Sequence, residues 1–161
     1  MNAYRVEPGL AQHAGSARRH VGSTSRDCMF PSRTISMAIN RPSDEVYAFL
    51  SNPRNLTRWT GGVLVGPLEQ VGEHIWQTDY EGAKVNLEFT PPNALGVIDL
   101  AITAHGAPDQ FYRTRVFPNG AGTELCCTIL QRAHESDAEF QSNIEWLRAD
   151  LLVLKSFIET Q

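Results

Sequence analysis

From residue 33 onward the chain alternates apolar and polar positions in short runs, each closed by glycine, proline or asparagine. Residues 33–40 place Ile35, Met37 and Ile39 on one side of an extended segment. Pro42 then sits at the first turn of a short helix in which Val46, Phe49 and Leu50 recur at helical spacing. Asn52-Pro53 opens a second, one-turn helix carrying Leu56 and Trp59, which Gly61-Gly62 ends. Strands are predicted over 63–70, 73–80, 84–89, 97–103, 110–117 and 123–132, the last two joined by a hairpin at Pro118-Asn119-Gly120. The final segment changes period. Ser136 and Glu139 are spaced as a capping box. Phe140, Ile144, Leu147, Leu151, Leu154 and Ile158 follow as an apolar stripe some six turns long.

A stripe of that length needs a large apolar partner surface, which the strands supply. The element order therefore predicts an α+β domain: an antiparallel sheet of six to seven strands with one face on a long C-terminal helix, and two short helices after the first strand. Parity assigns the faces. Val85, Leu87 and Phe89 point inward, as do Ile98, Leu100 and Ile102. So do Tyr112, Thr114 and Val116, then Leu125, Cys127 and Ile129 across the hairpin. On 73–80 the inward set is His74, Trp76, Thr78 and Tyr80. Arg113 and Arg115 share the outer face with Glu124, Cys126 and Thr128, so Arg115–Glu124, with Asp99, reads as an exposed charge ladder.

Charge is unevenly distributed. Residues 1–33 hold five Arg against Glu7 and Asp27, a net +3, whereas 34–161 hold nine basic and sixteen acidic residues, a net −7. An acidic domain repels phosphate backbones, so no nucleic-acid partner is expected. No apolar run reaches the length of a membrane span. Residues 1–32 lack either periodicity and read as a disordered tail ahead of one domain over 33–161. Two other readings of the tail stand: a basic, Ser-containing targeting leader, or an upstream extension of the reading frame with Met29 as the true start. The three cysteines have no CxxC or zinc spacing, and the adjacent Cys126 and Cys127 point to opposite faces, which fits the cytoplasm. No nucleophile elbow, metal cluster, phosphate loop or dinucleotide fingerprint occurs, so no cofactor is expected.

Several segments together resemble the START-like superfamily, also called SRPBCC. They are ISMAINRPSDEVYAFLSNPRNLTRW at 35–59, GVID at 96–99, RVFPNGAGTE at 115–124, and Asp150-Leu151 with Leu154-Lys155 in the closing helix. Within that superfamily the chain is most similar to bacterial proteins labelled polyketide cyclase/dehydratase. Many of these follow the GVID-type Asp with a His, where this chain has Leu100. The resemblance implies a helix-grip fold, a curved sheet wrapped on the C-terminal helix, with a cavity between them. It implies little about function, because the superfamily spans carriers, enzymes and chaperone cofactors.

Combined with the face assignment, this gives a candidate lining. Apolar walls come from Trp59, Trp76, Leu87, Phe89, Leu100, Ile102, Leu147 and Leu151. His74, Thr78, Tyr80, Tyr112 and Thr114 add hydrogen-bonding groups, a composition typical of ligand cavities. The same hydroxyls would equally fill a closed core by bonding the backbone. The leading expectation is binding of a small hydrophobic or aromatic molecule. One alternative is a cyclase/dehydratase-like enzyme in which His74 or Tyr112 moves a proton. Another is a protein–protein module with a filled interior and an exposed apolar patch. Monomer and homodimer are both open.

Overall fold

The computed structural model describes residues 29–61, 66–80, 82–106 and 109–161. The tail readings, including Cys28, and most of the strand expected over 63–70 lie outside them. Strand β1 (Ser32–Ile39) leads to helix α1 (Ser43–Leu50) and a 3-10 helix (Pro53–Arg58). Then come β2 (Glu69–Gln70), β3 (Ile75–Tyr80), β4 (Ala83–Phe89), β5 (Leu100–Ala104), β6 (Gln110–Asn119), β7 (Gly122–Leu130) and α2 (Asp137–Glu159). The seven strands form one sheet in the order β1-β7-β6-β5-β4-β3-β2, antiparallel throughout. This is the expected architecture, and no helix of the described residues is long and apolar enough to cross a membrane.

Each element carries its local cause. Asn52 accepts the Arg54 N–H at 3.1 Å and Pro53 fixes the next φ, so the 3-10 helix begins there. The capping box before α2 is formed: Ser136 Oγ accepts the Glu139 N–H, and the Glu139 carboxylate accepts the Ser136 N–H at 2.8 Å. At the other end Lys155 Nζ donates to the Ala38 carbonyl at 2.7 Å, and Glu159 accepts the Asn40 N–H at 2.7 Å. Those two side chains fasten the last turns of α2 to the open edge of β1, which also blunts that edge against further pairing.

Strand boundaries moved where side chains claimed the backbone. The segment before β5 is not a full strand from 97. Asn93 Oδ1 accepts the N–H groups of Leu95 and Val97, and its Nδ2 donates to the Val97 carbonyl at 2.9 Å. Gly96 follows at φ +67°, where an added Cβ would lie 2.0 Å from the Val116 carbonyl oxygen. Only glycine fits that crossing. Val97 makes an isolated bridge to Arg115, and regular pairing with β4 starts at Leu100.

The interior has two apolar clusters. The larger joins β1, β6, β7, α1 and α2 through residues such as Ile35, Leu125, Val46, Leu147, Leu151 and Leu154. The smaller comprises Leu56, Trp76, Leu87 and Phe89, with Leu68, Leu100 and Ile102 packed against it. Trp59 touches both.

Candidate ligand cleft on the concave face

The register places the inner-face residues in rows across the sheet. The Phe89 N–H donates to the His74 carbonyl, Phe89 pairs with Leu100, and Leu100 pairs with Tyr112. In the next row Trp76 pairs with Leu87, Leu87 with Ile102, and Ile102 with Gln110. Thr78 pairs with Val85, and Tyr80 with Ala83.

Burial along these rows is uneven. Trp76, Thr78, Leu87 and Phe89 are buried on β3 and β4, and Val116, Leu125, Cys127 and Ile129 are buried on β6 and β7. Between them Leu100, Ile102, Gln110, Tyr112 and Thr114 are only half-buried, although they lie on the same face. β5 shows no alternation of burial at all. Among the described residues the inner face of the sheet is least covered between the two clusters.

The sequence-predicted residues divide accordingly. Trp59, Trp76, Leu87, Phe89, Leu100 and Ile102 come together in or against the smaller cluster. Leu147 and Leu151 belong to the larger one, and Tyr112 packs against it. Two of the polar candidates are spent internally: Thr78 Oγ1 donates to the Gly66 carbonyl at 3.2 Å, and Thr114 Oγ1 lies 3.3 Å from the Cys127 sulfur. That bond lowers the Cys127 pKa, but burial outweighs it and pushes the thiol up to about 11, an inert core cysteine. His74 is half-buried, with its Nε2 3.7 Å from a carboxylate oxygen of the exposed Glu73. It lies three strand spacings from Tyr112, about 14 Å along the sheet. The two catalytic candidates therefore do not form one dyad.

Three groups were missed from the sequence. Gln110 has the parity of Tyr112 and donates to its hydroxyl oxygen at 2.7 Å; at the end of a predicted strand, it is not marked as inward by alternation alone. Asp150 lies within the apolar stripe of α2, three residues after Leu147 and four before Leu154, and that phase was the available signal. Its carboxylate is buried and accepts the Gly61 N–H at 2.9 Å. Burial raises its pKa, and the Gly61 bond opposes that rise only in part. Arg54 lays its guanidinium 5.1 Å from the centroid of the Trp76 ring, a contact between residues with no sequence pattern in common.

The outer-face charge ladder needs correcting. Arg115 does not pair with Glu124, which faces Phe117 in register and accepts from Asn119 Nδ2 at 3.1 Å. Both Arg113 (3.1 Å) and Arg115 converge instead on Asp99, which also accepts the Thr114 N–H at 3.1 Å. Partial burial pulls the Asp99 pKa up, but the bonds from Arg115 and Arg113 outweigh it and leave the carboxyl below its ordinary value. Asp99 is tethered from both sides on the outer face, which suits a structural clasp and leaves it away from the cleft.

Among the described residues no three His, Cys, Asp or Glu side chains converge as metal ligands. A surface hollow of about 320 Å3 lies at the far end of the sheet, between Ala38, Asn40, Asn119, Thr123 and Lys155, and includes none of the predicted site residues.

No protein-family model matches the chain, and no curated protein sequence does. Solved structures match it in fold. It superposes on Ara h 8.0201 with a TM-score of 0.60 at 10% identity, over 81% of this chain and 99% of that one. For the Aha1 dimer from Colwellia psychrerythraea the values are 0.61 and 14%, over 80% and 96%. For DynU16, a protein of the dynemicin biosynthetic locus, they are 0.59 and 17%, over 80% of this chain and 47% of that one. The chain thus spans about half the length of DynU16, and at these identities the likeness is one of fold.

Proposed function

Since the chain has the START-like, helix-grip fold, we propose that its concave face binds a small hydrophobic or aromatic molecule between the sheet and α2. Leu100 and Ile102 form the apolar floor, and the Gln110–Tyr112 pair supplies the polar contact. The observation that carries this reading is the half-exposure of inner-face residues on β5 and the start of β6, flanked on both sides by buried neighbours. Covering about 200 Å2 of apolar ligand surface there would contribute roughly 5 kcal/mol before the costs of association. The reading also places the domain in the cytoplasm, where thiols such as Cys126 and Cys127 stay reduced.

The test is a pair of mass spectra of the purified protein, native and denatured, together with a titration of the neutral fluorophore N-phenyl-1-naphthylamine. A co-purified mass lost on denaturation, or saturable one-to-one probe binding, supports the cleft. A clean apo mass together with no probe binding refutes it.

One observation favours a second reading, a cyclase/dehydratase-like enzyme. The Gln110 amide fixes a phenol beside the apolar floor, where it would act on a bound chain. Tyr112→Phe and His74→Ala separate the two. A carrier loses affinity only modestly in either variant, whereas an enzyme keeps its affinity and loses turnover in at least one.

A further inference from the structure

β1 is an edge strand, and Lys155 and Glu159 cover only its end. They take the Ala38 carbonyl and the Asn40 N–H, so the even-numbered residues direct their backbone groups away from β7. The Pro31 carbonyl, which accepts the Gln131 N–H on the β7 side, shows the opposite parity. The same alternation turns the N–H and C=O groups of Ser32, Thr34 and Ser36 outward, where no described residue bonds them. All three residues are exposed, and the register from Ser32 to Ile39 runs without a bulge or a proline to guard it.

A second copy of the chain fits this edge. Antiparallel pairing about a two-fold axis at Thr34 sets Thr34 against Thr34 and Ser32 against Ser36, and each such pair exchanges both backbone bonds. Centring on Ile35 instead would set Ser32 against Ala38, whose carbonyl Lys155 already holds, so the covered end selects the axis. The helix layer agrees. Among the strands α2 lies nearest β1. Thr34 is four residues before Ala38, about 13 Å along the strand, which matches about nine residues of helix before Lys155. Glu145 and Arg148 straddle that level. Both are exposed, and neither forms an ion pair among the described residues. Arg148 lies two turns before Lys155 on the same flank of α2, with the exposed Leu152 between them. The axis at Thr34 brings Glu145 of each copy to Arg148 of the other, a complementary contact between acidic domains that otherwise repel.

We propose that the chain forms a homodimer in which two β1 edges join the sheets into one, with the α2 helices meeting through Glu145 and Arg148. The strip is about 17 Å long and two layers deep, at the low end for a specific association, so the dimer is reversible. It leaves β5, three strands from the edge, uncovered.

Sedimentation velocity of the full chain from about 1 to 200 μM tests it, a range spanning the weak affinities expected of such a strip. The wild type should pass from monomer to dimer across that range. Ser36→Pro removes an N–H with no partner inside one chain, so circular dichroism should show it folded, yet its dissociation constant should rise about tenfold. Arg148→Glu should weaken the dimer about fivefold, and Glu145→Arg with Arg148→Glu should restore it. A wild type that stays monomeric throughout, including the case in which residues 1–28 of the same chain cover the edge, overturns the proposal. So does a dimer that survives Ser36→Pro unchanged. A double swap that fails to restore what Arg148→Glu loses overturns the Thr34 axis.

Discussion

Replacing Ile102 by Trp distinguishes an open cleft from a packed core by the sign of the effect. Ile102 faces Leu87 on β4 and Gln110 on β6, and it is half-buried between the buried inner-face residues of β3 and β4 and those of β6 and β7. If the space above it is open, the indole lies into it and covers about 60 Å2 more apolar surface than the isoleucine. At 25 cal/mol per Å2 that is roughly 1.5 kcal/mol of added stability, reduced by about 0.5 kcal/mol for side-chain ordering. The same indole occupies the place of the ligand, so affinity for N-phenyl-1-naphthylamine should fall at least tenfold. If the interior is filled, the added atoms force off-rotamer neighbours and cost about 1–3 kcal/mol. The alternatives differ by roughly 2–4 kcal/mol in total, well beyond the error of a urea melt. The assay is urea unfolding followed by circular dichroism, which avoids interference from Trp59, Trp76 and Trp146. A midpoint shifted to lower urea, with probe affinity unchanged, would refute the cleft.

Three further outcomes follow from the geometry. Gly96→Ala puts a methyl group against the Val116 carbonyl at a positive φ, and should destabilise the domain by on the order of 3 kcal/mol in the same melt; a change below 0.5 kcal/mol, about the scatter of surface substitutions, would sink the account of that crossing. Asp99 has a depressed pKa, so its contribution is present above the ordinary carboxylate value of 3.8 and is lost as pH falls through the lower folded value. Asp99→Asn should therefore be less stable than wild type at pH 7 and should converge with it on acidification. Asp150 has the opposite sign: burial raises its pKa, so stability is lost as pH rises from 3.8 through the folded value. Asp150→Asn, which keeps an acceptor for the Gly61 N–H, should gain on wild type between pH 4 and pH 7; a difference that stays flat shows that the buried group does not titrate there.

The elements that were legible in the sequence are those whose cause is local. The capping box at Ser136 and the stripe from Phe140 to Ile158 place α2 correctly because helical period and cap chemistry are both written in neighbouring residues. The inward parity of Leu87, Phe89, Leu125 and Ile129 likewise held, since one face of an antiparallel strand must be buried. The illegible parts depend on contacts between distant segments. Arg115 turned from Glu124 to Asp99 because the chain crosses β6 at Gly96 before joining β4, and no parity rule contains that crossing. Arg54 over Trp76 and Asp150 on Gly61 join residues 22 and 89 positions apart.

The proposed cleft belongs to this second class, because it depends on how α2 is used. Parity states which residues face inward, but it does not state what lies opposite them. The stripe of α2 is taken up by β1, β6, β7 and α1, so the far half of the sheet needs another cover. It gets one from the 3-10 helix, whose Leu56 is buried against Trp76, Leu87 and Phe89. Among the described residues Trp59 alone packs against both, and Leu100, Ile102, Gln110 and Tyr112 lie half-buried on the sheet between them. A seam of this kind costs burial that a longer 3-10 segment or bulkier inner residues would recover, and an occupant of the seam would recover it instead. On the proposed reading, specificity depends on the few side chains bordering the seam, such as the Gln110–Tyr112 pair, more than on the buried residues that dominate the fold.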